Sequence, residues 1–159
     1  MSVPVAATVP TDCRAAFTRD LQAKFERNDI PLNHPGVSVD AVGDDQLLAL
    51  LGTLEPKLTC DWAAPGDSGA FVSFAAVNDE QATLVVDRMT ATGATCTAEE
   101  GGTLCVGELQ TSDDNPWAGE GAGILDTAFV RDGLWISTHQ INLMGKDLVL
   151  DAMSAVFAH

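Results

Sequence analysis

Apolar residues recur along this chain at two spacings, four residues and two, and the alternation between them divides it into elements. Cys13, Phe17, Leu21 and Phe25 lie four apart, while Arg14, Arg19, Asp20, Lys24 and Arg27 fall elsewhere. That is one apolar stripe on a helix, capped at its start by Thr11 or Asp12 and running to about Arg27. Ahead of it, residues 1–10 are small and proline-bearing and read as a flexible tail, with a single domain over 11–159. Residues 28–40 form a loop, because Pro31 and Pro35 each push the preceding residue out of helical geometry.

A short helix is predicted over 44–51 and a strand over 58–62; Pro65, Gly66, Asp67 and Ser68 then turn the chain into a strand at 70–77. Asn78, with Gln81 three residues on, is a capping box that opens a helix ending near Gly93. Strands at 94–98 and 103–109 flank the pair Gly101-Gly102, which suits a hairpin turn. A polar, glycine-bearing loop at 111–123 leads to a second hairpin, 124–130 with 134–141, turning through Arg131, Asp132 and Gly133; a helix over 146–158 closes the chain.

Residues 69–92 and 133–156 align without gaps. Ser73/Ser137, Asn78/Asn142, Leu84/Leu148, Val85/Val149, Asp87/Asp151 and Met89/Met153 are identical, so each half reads as a strand followed by an amphipathic helix. The expected fold class is α+β: an antiparallel sheet of about six strands, built from two similar strand–helix halves. Both repeat helices are expected on one face, with the N-terminal helix at an edge or on the other face. Leu84, Val85 and Met89 recur in the second copy and read as scaffold. The strand faces differ: Val72, Phe74 and Ala76 are apolar where Ile136, Thr138 and Gln140 are mostly polar. The apolar half is either covered by the N-terminal helix or open as a ligand-binding or dimer surface.

Composition narrows the partners. With 23 acids against 8 bases the net charge is −15, and no basic run occurs, which argues against nucleic acid and anionic membranes. No apolar stretch reaches transmembrane length, so no membrane insertion is expected. The first residues lack a signal peptide; an exported protein would carry one ahead of this sequence.

Cys13, Cys60, Cys96 and Cys105 show neither C-x-x-C nor zinc-finger spacing. Their even number suits disulfides and an extracytoplasmic compartment. Cys96 and Cys105 flank one hairpin, which favours their pairing and leaves Cys13 with Cys60; the other connectivities stay open at this point.

Candidate chemistry is sparse. Gly66-Asp67-Ser68-Gly69 resembles the nucleophile segment of chymotrypsin-like proteases, but Ser68 has too little chain before it for a barrel, and a turn explains it better. Asp113, Asp114 and Asn115 lack the regular spacing of a calcium loop. No phosphate loop or dinucleotide fingerprint occurs, so no cofactor is expected. His139 shares a strand face with Trp135, Ser137 and Ile141 and has no ligand partner nearby in sequence. Asp61 and Asp126 are the acids a carboxylate-based hydrolase would bring together. Trp135 reads as core, whereas Trp117, in the glycine-bearing loop, is the candidate recognition anchor.

The early Cys13 and the strand motif Cys60-Asp61-Trp62 resemble small secreted or lipoprotein domains of actinobacteria that pair an N-terminal cysteine helix with a C-x-W strand. The resemblance covers residues 11–77 and implies a cell-envelope location and a non-enzymatic role. The functional expectation is a non-catalytic extracytoplasmic domain that binds a protein or small-molecule ligand through Trp117, Val72, Phe74 and Ala76. A secreted hydrolase with carboxylates in a cleft between the halves, and a structural envelope domain forming homodimers, are the alternatives.

Overall fold

A computed structural model describes residues 8–33, 41–63, 69–109, 124–141 and 147–157. Its centre is a six-stranded sheet in the order β1-β2-β6-β5-β4-β3. The strands are β1 (Lys57–Ala63), β2 (Gly69–Ala76), β3 (Thr95–Glu99), β4 (Gly102–Leu109), β5 (Ile124–Arg131) and β6 (Leu134–Ile141). Every neighbouring pair is antiparallel. The helices are α1 (Arg19–Arg27), α2 (Asp45–Thr53), α3 (Asp79–Ala91) and α4 (Asp147–Phe157), preceded by a 3-10 turn at Cys13–Ala16. The α+β class and the antiparallel sheet stand as read from the sequence.

The two similar strands are neighbours, and Ser73 lies opposite Ser137, its equivalent in the alignment. The likeness stops where the helices begin. Val85 and Met89 of α3 pack with Ala75, Ala128 and Trp135 on one face. Leu148, Val149, Ala152 and Met153 of α4 pack with Val72, Phe74 and Ile136 on the other. The expected placement of both repeat helices on one face is therefore corrected: the sheet is covered on both sides. Leu84 is a further correction, since it is 44 % exposed whereas Leu148 is fully buried.

The N-terminal stripe forms two elements rather than one helix. Asp12 accepts hydrogen bonds from the Arg14 and Ala15 amides and caps the 3-10 turn. Phe17 is then extended, and Thr18 caps α1 by accepting from the Leu21 amide. The break is held from a distance. Asp151 of α4 accepts from the Thr18 amide at 3.0 Å and also from the Thr18 hydroxyl. Val9 is already buried in the same core, so the flexible tail read over residues 1–10 does not extend to it.

This segment covers the apolar half of the sheet. Phe25 stacks on Trp62 with centroids 4.7 Å apart, and Phe17 meets Trp62 and Phe74 edge-on. Val72 and Phe74 are fully buried and Ala76 is half-buried against the same cluster. As a correction to their expected role in binding, these side chains are core beneath the N-terminal segment, not an open surface. Thr138 and Gln140, on the polar half of that face, are buried too. Thr127 and Thr138 share a 2.5 Å hydroxyl hydrogen bond, and Thr138 donates to Gln140 at 3.2 Å.

The disulfides are Cys13–Cys60 and Cys96–Cys105, the favoured pairing. They fit an extracytoplasmic compartment. No helix among the described residues is long and apolar enough to cross a membrane.

On the opposite face, Asp44 joins α2 to α3. Its carboxylate caps α2 through the Leu47 amide and receives Arg88 Nη2 at 2.7 Å and Nε at 3.2 Å. The hydrogen bond from Arg88 holds the Asp44 pKa below the ordinary aspartate value, with burial opposing it in part. A carboxyl depressed in the folded state stabilises above the unfolded value, about 3.9 for aspartate, and that contribution is lost as pH falls through the folded value. We therefore expect Arg88→Gln to be less stable than the parent at neutral pH, with the difference shrinking below the ordinary aspartate range. Urea midpoints of both proteins across a pH series check this, and a constant difference would contradict it.

Candidate functional site

The α2–α3 face of the sheet is not covered evenly. The antiparallel registers set Asp61, Phe71, His139, Asp126 and Gly107 side by side across five strands. Along this row the side chains shrink to nothing at Gly107. Helix α3 ends at Ala91 and turns through Gly93, at φ 101°, before reaching this row. The result is a cleft of about 260 Å³ bounded by Val42, Gly43 and Asp44, by the end of α3, and by Gly107, Glu108, Asp126 and Ser137.

At Gly43 any side chain would displace the Asp126 carboxylate. A Cβ there would sit 2.7 Å from Asp126 Oδ2, so the Asp126 carboxylate rests on bare backbone. Its other oxygen lies 2.5 Å from His139 Nδ1, across a directly opposed β5–β6 pair. The imidazole is 15 % and the carboxylate 34 % exposed. An aspartate on Nδ1 fixes the orientation of the ring and leaves Nε2 as the atom able to accept or give a proton.

The other groups of a hydrolytic site do not assemble around this pair. Ser137 is buried and donates its hydroxyl to the Ala41 carbonyl at 2.8 Å, and Ser73 shares its hydroxyl hydrogen bond with Thr59. Asp61 stands two strands from His139 with the buried Phe71 between them, so Asp61 and Asp126 do not converge. Among the described residues no group of three or more His, Cys, Asp or Glu side chains could hold a metal ion.

Several residues considered from the sequence lie outside the described residues: Asp67, Ser68, Trp117 and the run Asp113-Asp114-Asn115. The loop that carries Trp117 joins the two strands that supply Glu108 and Asp126 to the cleft. Trp135 is core, 1 % exposed, as its alternation suggested.

Reading the sequence residue by residue keeps His139 and Asp126 apart, yet a signal for their contact was present. A turn centred on Asp132-Gly133 sets Arg131 opposite Leu134, and counting back along both strands sets Asp126 opposite His139. Gly43 had no such signal, because its neighbour is remote in sequence. No protein-family model, curated protein or solved structure matches this chain.

Proposed function

We infer that this chain is a non-catalytic, extracytoplasmic binding domain of a secreted or cell-envelope protein, and that its ligand seats in the cleft over Gly107. The observation that carries the reading is that opening itself: a gap between α2, the end of α3 and the sheet, with an oriented imidazole–carboxylate pair beside it. The space suits a small polar ligand or one side chain of a partner, whose amine or hydroxyl could meet Asp126, the carboxylate that pairs with His139. Gly43, Gly93 and Gly107 lie in the wall, so a ligand would reach backbone there. Trp117, carried by the loop between β4 and β5, remains the proposed anchor for a larger partner.

The reading is tested by titrating isotopically labelled protein with separate panels of small amines, carboxylates and amides, following backbone amide shifts. At least one class is expected to move Gly43, Gly107 and Asp126 together. Gly107→Val, which fills the cleft while its Cβ meets only ordinary contact with Ala94 at 3.4 Å, is expected to abolish the response. Shifts scattered over the surface, or shifts that survive Gly107→Val in a folded variant, would refute the assignment.

A further inference from the structure

The two edges of the sheet are finished differently. At the β1 edge Leu32 forms a bridge to Trp62. Asn33 completes the closure: its amide donates to the Asp61 carbonyl at 2.8 Å, and its side-chain oxygen accepts from the Asp61 amide at 3.0 Å. No comparable segment covers the β3 edge among the described residues. Four of the five β3 residues are exposed, Cys96 being half-buried.

The disulfide reveals which backbone groups this edge offers. Cys96 and Cys105 are directly opposed with Cα atoms 4.0 Å apart, the spacing of a pair that does not exchange hydrogen bonds. Thr95, Thr97 and Glu99 therefore bond to β4, and the N–H and C=O groups of Cys96 and Ala98 point away from it. The next outward amide, Ala94, is taken by the Met89 carbonyl at 2.9 Å. Cys96 and Ala98 thus present two donors and two acceptors, the repeat that an added strand requires.

Charge selects the occupant. The β3–β4 hairpin carries Glu99, Glu100 and Glu108 and no lysine or arginine, and Glu99 and Glu100 are both exposed. A second copy would bring another net charge of −15 to this edge. An acidic strand would set like charges across from Glu99, which destabilises the pair. We propose that the β3 edge is a strand-addition site for a lysine- or arginine-bearing extended segment of a partner protein, paired antiparallel through Cys96 and Ala98 with a basic side chain across from Glu99. So short a pairing is weak, and its ion pair is screened by salt.

The probe is an acetylated, amidated peptide alternating lysine with valine, followed by backbone amide shifts and hydrogen exchange, with a glutamate–valine peptide as its counterpart. The lysine peptide is expected to shift the Cys96 and Ala98 amides and slow their exchange, with binding lost as salt is raised. Ala98→Pro removes an outward N–H without touching the β4 ladder and is expected to abolish the effect. Glu99→Lys, an exposed change that leaves the backbone intact, is expected to weaken it and keeps the test valid if the proline variant misfolds. Gly107→Val is expected to bind the peptide normally, because Cys96 and Ala98 do not line the cleft. Unmoved amides, equal binding of the glutamate peptide, or full binding by a folded Ala98→Pro would overturn the proposal. So would concentration-dependent self-association through the same amides, which would make a second copy the occupant.

Discussion

Replacing Cys13 and Cys60 together by alanine should destabilise the protein by about 4 kcal/mol, more than any comparable change at the other disulfide. The bridge joins residues with a sequence separation of 47, whereas Cys96 and Cys105 are separated by 9. In the chain-entropy picture the cost of opening a bridge grows with the logarithm of the loop it closes, which gives about 4 kcal/mol for the first and about 2.5 kcal/mol for the second. For a chain of this size the larger loss corresponds to a melting temperature lower by roughly 8–16 °C. Urea unfolding of the two double-alanine variants measures both values, and a larger loss for Cys96/Cys105 would contradict the argument. The damage should also be local in character. Cys13 ties down the segment that buries Val72 and Phe74, so its release should expose that apolar face and raise the binding of a hydrophobic dye before global unfolding.

That covered face shows where sequence reading ends. Alternation located the strands, and the Asn78 capping box located the start of α3, because both are local patterns in which each residue's neighbours suffice. The hairpins even carried their own registers, which is why the Cys96–Cys105 pairing was legible. The face taken by a helix is a different kind of fact. Val85 and Val149 are identical in setting along the chain and both fully buried, yet they lie on opposite sides of the sheet. What separates them is long-range packing: α4 shares its face with the N-terminal segment, and Asp151 captures Thr18 there. Its alignment partner, Asp87, is exposed. The cleft was hidden for the same reason. It depends on Gly43 approaching Asp126 and on α3 stopping short of Gly107, and neither leaves a periodic trace.

Trp62→Ala is expected to cost about 3–5 kcal/mol, the range for deleting a large buried aromatic side chain, whereas Trp62→Phe should cost far less. Trp62 is fully buried, stacked on Phe25 and edge-on to Phe17. Its indole Nε1 is also buried and has no hydrogen-bond partner among the described residues. Burying such a donor unpaired costs about 1–3 kcal/mol, and phenylalanine removes that cost while keeping an aromatic surface for Phe25 and Phe17. Thermal and urea unfolding of both variants give the comparison; equal losses would mean that the indole N–H holds something of value. The expected asymmetry also explains the spacing of Cys60-Asp61-Trp62. Residues two apart on a strand point to the same face, so Cys60 holds Cys13 while Trp62 holds Phe17 and Phe25. The motif fastens the N-terminal segment to the sheet, once by a covalent bond and once by aromatic packing. Combining Trp62→Ala with Cys13→Ala should therefore cost less than the sum of the two single losses, because either change alone already loosens the element that both residues secure.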